Sequence, residues 1–129
     1  MVTIEEMEAM LDELAMELPE AFYKDLNGGI MILPDTKYHE KAVGDDFYIL
    51  GEYHVDGRLG RYIVLYYGSF IRVHGRLSNE QMKEKLMSTL KHEFRHHLES
   101  LAGEKDLEVI DAMNVAEYLD RKKKGDLSE

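Results

Sequence analysis

The stretch that decides the fold runs from residue 78 to residue 103. It opens Ser78-Asn79-Glu80-Gln81-Met82 and later reads Leu90-Lys91-His92-Glu93-Phe94-Arg95-His96-His97-Leu98-Glu99. Ser78 with Gln81 has the form of a capping box, in which side chain and backbone satisfy each other's free donors at a helix start. Apolar residues then recur at helical spacing to about Ala102, and Gly103 offers a stop. At ~100° per residue, Met82, Leu86, Leu90, Phe94, Leu98 and Leu101 share one arc, which predicts the core-facing stripe of a long helix. His92 and His96 fall just off one edge of that stripe, while Glu93 falls inside it. A lone carboxylate in an apolar stripe is costly without compensation, and desolvation raises its pKa toward the range of a general base.

The segment contains H-E-x-x-H. Histidines at i and i+4 stand one turn apart on one face, so both can hold a single zinc ion. The intervening glutamate reaches a neighbouring strip, where it can act on water without itself being a ligand. His97 falls among the leucines and reads as a core histidine bonded to backbone; polarising a substrate carbonyl is its other reading. Arg95 faces outward as a solvated charge.

Working outward, Thr3 with Glu6 forms another capping box, and Ile4, Met7, Leu11, Leu14 and Leu18 predict a first helix to about Leu18. Pro19 suits the start of a second short helix, ended by Asn27-Gly28-Gly29. Gly29 to Leu33 reads as a buried strand, residues 35–46 as a polar loop, and Phe47 to Tyr53 as a strand. Asp56-Gly57 signals a two-residue hairpin with positive φ at glycine, leading to a partner strand Tyr62 to Tyr67. Gly68 to Gly75 is open between a short helix and a further strand. Leu107, Ile110, Met113 and Ala116 suggest a last helix, with residues 121–129 a charged tail. The expectation is one α+β domain over residues 1–120, with helices against a small antiparallel sheet.

Composition narrows the function. The chain has 129 residues, 16 Lys+Arg against 26 Asp+Glu, a net charge of −10 and no cysteine. There is no disulfide framework and no thiolate ligand. Such a charge repels phosphate backbones, so nucleic acid is not an expected partner. No apolar run approaches the ~20 residues of a membrane span, and no secretory signal is visible. The expected setting is the cytoplasm; the oligomeric state is not legible. His39, His54 and His74 read as surface histidines, and the methionines as core filler.

His92-Glu93-x-x-His96-His97, behind a capped helix and a strand, resembles the compact zincin-like metallopeptidase family of bacteria. That resemblance implies a minimal zincin fold with an N-terminal helix pair, one Zn2+, peptidase chemistry and cytoplasmic residence. The family pattern places glycine and an aspartate ligand where this chain has Glu99 and Ala102; Gly103 and Asp106 keep the same mutual spacing four residues later. Asp106 is therefore the expected third metal ligand. Glu99, Asp111, Asn114 and Glu117 are alternatives, Glu99 being better suited to a hydrogen bond with His96. The expected activity is hydrolysis of a peptide or protein substrate by metal-activated water, with Glu93 as general base. A substrate strand would add to an edge, Tyr62 to Tyr67 being the candidate, with Tyr66 or Tyr67 as oxyanion donor. The alternative is a catalytically silent binding module on the same scaffold.

Overall fold

Two reciprocal caps fix where the long helices begin. The structure, a computed structural model, describes residues 1–39 and 47–103. Thr3 Oγ1 accepts from the Glu6 N–H at 3.1 Å and the Glu6 carboxylate accepts from the Thr3 N–H at 3.0 Å, starting α1 (Ile4–Glu17). Ser78 and Gln81 repeat the exchange at 3.2 and 3.1 Å at the start of α3 (Asn79–Ala102). Each such cap contributes about 1 kcal/mol. The predicted stripe of α3 is the core: Met82, Leu86, Leu90, Phe94, Leu98 and Leu101 are buried, packed with Met7, Leu11 and Leu14 of α1.

The expected second helix is a single 3-10 turn, Glu20–Tyr23, immediately after Pro19. Four residues are too few to nucleate an α-helix unaided. The turn is held by aromatic packing, with Phe22 and Tyr23 against Phe94 at ring separations of 5.7 and 5.1 Å.

Five strands follow: β1 (Gly29–Leu33), β2 (Lys37–Tyr38), β3 (Tyr48–Ile49), β4 (Gly51–Asp56) and β5 (Gly60–Tyr66). The main sheet has the order β1-β5-β4, with β1 parallel and β4 antiparallel to β5; β2 and β3 pair separately. The sheet is thus mixed rather than antiparallel. β5 is its centre rather than an edge, so it has no backbone to offer a substrate strand. Ile63, Val64, Leu65 and Tyr66 are consecutively buried, the continuous pattern of a strand covered on both faces.

The β4–β5 turn spans residues 57–59, longer than the expected hairpin. The Asp56 carboxylate accepts from the N–H groups of Arg58 (2.6 Å) and Leu59 (3.1 Å), and the positive φ (+74°) falls on Gly60 rather than Gly57. An aspartate that bonds backbone ahead of it builds its own turn. The ambiguous segment after β5 is α2 (Tyr67–His74). Ser69, fully buried, accepts from the Lys37 N–H at 2.9 Å and donates to the Lys37 carbonyl at 3.2 Å, which moors β2 to α2. The last helix from Leu107, the tail and most of the expected polar loop lie outside the described residues. Among the described residues no helix is long and apolar enough to cross a membrane.

Candidate functional site

α3 presents His92 and His96 at its exposed rim and turns Glu93 inward, as the wheel predicts. The two imidazoles stand edge to face, centroids 4.7 Å apart, with their Nε2 atoms 3.2 Å from each other. That separation bears directly on a metal. Two nitrogens each ~2.05 Å from one tetrahedral zinc are about 3.3 Å apart, so the spacing of the pair suits such an ion, although here the two Nε2 atoms share a hydrogen bond with each other.

Glu93 is only 5% exposed, yet no described residue gives it a hydrogen bond or an ion pair. Burial pushes its proton affinity up; His96 and His54 pull the other way, and the Glu52 carboxylate adds to the rise. β4 lies close against it. A Cβ on Gly51 would come within 3.0 Å of Thr89 Cγ2 and 3.3 Å of Glu93 Cγ, so glycine there permits the approach. Between the start of β4 and α3 opens a cleft of about 880 Å3, lined by Glu52, Tyr53 and His39 opposite His92, Glu93 and His96.

Glu52 was not a candidate from sequence. Its carboxylate accepts from Lys37 Nζ at 2.5 Å and from the Tyr66 hydroxyl, with His54 Nε2 at 3.5 Å. Burial alone would raise its pKa, but the Lys37 and Tyr66 hydrogen bonds outweigh it and hold the group below the usual carboxylate range. The partners come from β2, β4 and β5, so only alternation along β4, placing Glu52 and His54 on one face, hinted at the cluster.

His97 is a core histidine. It is fully buried, its Nε2–H donates to the Lys24 carbonyl at 2.7 Å, and its Nδ1 accepts from the Tyr53 hydroxyl at 2.8 Å. This assignment follows from the carbonyl, which can only accept. Desolvation holds its pKa below the ordinary histidine value, against the Lys24 hydrogen bond. With both nitrogens engaged it has none left to polarise a substrate. Tyr53 also accepts from Arg61 Nη1 at 3.2 Å, and Arg61 donates to Ser100.

The oxyanion expectation is corrected. Tyr67 donates to the Val2 carbonyl at 2.6 Å and Tyr66 donates to Glu52, so both phenol protons are committed within the protein. Glu99 lines the cleft, but its partner is Arg95 at 3.7 Å rather than His96. His39 lines the cleft as well, with its ring edge-on to Phe47 at 4.7 Å, a placement its loop position did not suggest. Asp106, Asp111, Asn114 and Glu117 lie outside the described residues. Among the described residues no group of three or more His, Cys, Asp or Glu is placed to hold a metal ion.

Comparison with known proteins corrects the family expectation. No family model matches the chain, and no curated protein matches it. A solved structure does: a conserved hypothetical protein from Thermus thermophilus, 36% identical, covering 79% of this chain and 99% of that one, with a TM-score of 0.67. That relative's description names no activity, and among the described residues of this chain the ligand group a zincin-like site requires is not assembled. The chain, a small α+β protein, belongs to the family of this conserved hypothetical protein of Thermus thermophilus.

Proposed function

We propose that the chain is a cytoplasmic, zinc-dependent hydrolase of peptide bonds, holding one Zn2+ through His92 and His96. The observation that carries this reading is the carboxylate of Glu93: buried, without a hydrogen bond or ion pair among the described residues, and open to the cleft beside two imidazole nitrogens 3.2 Å apart. Such a group costs stability without a structural return, which is the mark of a site kept for chemistry.

His92 and His96 bind as neutral imidazoles, and Asp106 is our choice for the third protein ligand. Zinc, when bound, polarises a carbonyl and lowers the pKa of water to near neutrality. Glu93, its proton affinity raised by burial, takes a proton from attacking water and passes it to the leaving amine. Among the described residues β4 pairs with β5 alone in the three-stranded sheet, so its other edge, beside the cleft, is the backbone against which an extended peptide would lie.

The test is a pair of variants. His92→Ala should abolish zinc binding, whereas Glu93→Gln should keep zinc and remove hydrolysis of a peptide library. A wild type that binds zinc and cleaves nothing would favour the silent binding module, and one that binds no zinc would refute both the metal and the mechanism.

A further inference from the structure

The face formed by the end of α2 and the start of α3 has an opposite character from the cleft. There a cavity of about 470 Å3 is lined by the apolar Ile71 and Leu77 together with Arg72, His74 and Arg76. Its volume lies in the range of pockets that hold ligands, roughly 300–1,000 Å3. Lys85 of α3 is close enough to His74 to add to the effect of burial in lowering its proton affinity. Val73, 47% exposed, leaves apolar surface at the mouth.

Among the described residues, the cations here have no partners. Arg72, Arg76 and Lys85 make no hydrogen bond or ion pair with them, whereas Lys37, Lys83 and Arg95 each have a carboxylate within 4.0 Å. Carboxylates outnumber Lys+Arg by 26 to 16, so a corner gathering these three cations runs against the composition. The helix dipole accounts for Arg72 and His74, which lie in the last turn of α2. It does not account for Arg76, beyond that helix, or for Lys85, inside another.

We infer that this corner is a docking site for an acidic peptide segment of a partner protein, whose carboxylates pair with Arg72, Arg76 and Lys85 while an apolar side chain fills the cavity over Ile71 and Leu77. The mixed lining separates this occupant from nucleic acid. A polyphosphate would gain from three cations but be repelled by a chain of net charge −10, and it has no aliphatic group for the apolar lining. A short acidic segment meets less of that repulsion and uses both features.

The experiment is fluorescence anisotropy with a short fluorescein-labelled glutamate–leucine peptide at low salt. Saturable binding is expected, weakened about tenfold or more by Arg72→Gln with Arg76→Gln, and weakened likewise by added salt. Arg58→Gln removes the same kind of charge from the β4–β5 turn and should change the affinity by less than about twofold. Circular dichroism confirms that the exposed substitutions leave the fold intact. The inference is overturned by any of four results: no saturable binding, equal binding by the double variant, equal weakening by Arg58→Gln, or tighter binding of a single-stranded oligonucleotide. A wild type that self-associates through this corner without taking the peptide overturns it too.

Discussion

Two ionisable side chains are buried on α3 one turn apart, and the protein treats them in opposite ways. His97 has both ring nitrogens engaged, by a carbonyl from the segment after α1 and by a phenol from β4, so it ties three parts of the fold together. Glu93 is nearly as buried and no described residue gives it a hydrogen bond; a glycine in β4 makes room beside it, and the cleft opens over it. Burial with both polar atoms bonded builds structure, whereas a largely buried carboxyl left facing a cleft is kept where a group is needed for something else. The contrast is sharp enough to break.

The largest expected effect is on chemistry. Glu93→Gln keeps the shape and removes the base, so hydrolysis should fall about a thousandfold with zinc content unchanged; residual activity within about tenfold of wild type would remove Glu93 from the mechanism. Next comes the histidine. His97→Ala opens a cavity and strands the Lys24 carbonyl and the Tyr53 hydroxyl, so urea denaturation should show a loss of about 3 kcal/mol. A loss below about 1 kcal/mol would mean that His97 is no tie. Gly51→Ala pushes a methyl group toward Thr89, Leu65 and Glu93, and should cost about 1–2 kcal/mol with reduced turnover. Glu93→Leu should do the reverse of His97→Ala and raise stability by about 1 kcal/mol, because it replaces a desolvated carboxyl with an apolar side chain.

The smallest effect is in pH dependence, where the two residues carry opposite signs. The folded state binds the Glu93 proton more tightly than the unfolded chain, so that contribution is fullest below the ordinary value of 4.5 and is lost as pH rises through the raised one. His97 binds its proton less tightly when folded, so its contribution is present above 6.5 and is lost as pH falls through the lowered value. Denaturation midpoints measured across pH should show the first slope vanish in Glu93→Gln and the second in His97→Gln. Unchanged slopes would contradict the burial argument.

What was legible in the sequence was whatever a single helix encodes. Both capping boxes, the end of α3 near Ala102, and the inward turn of Glu93 beside outward histidines follow from local chemistry and a helical period of about 3.6. What was hidden depends on pairing between distant segments. Nothing near Tyr62 to Tyr66 says which strands flank it; the unbroken burial of Ile63 to Tyr66 is a central-strand pattern, but β1 and β4 reach it through connections of very different length. The Lys37–Glu52–Tyr66 cluster and the Tyr53–His97 bond join residues 14 to 44 positions apart, beyond any local rule. The turn differs from the two-residue hairpin because Asp56 builds it with its own carboxylate, and the positive φ falls on Gly60.

The proposed hydrolysis rests on His92 and His96 holding one ion beside Glu93. The zinc content of protein purified without added metal, measured against chain concentration for the wild type and for His92→Ala, tests it most directly. One zinc per wild-type chain and none in the variant is the expected result. Zinc absent from the wild type even after incubation with the metal, or retained equally by His92→Ala, would contradict the account.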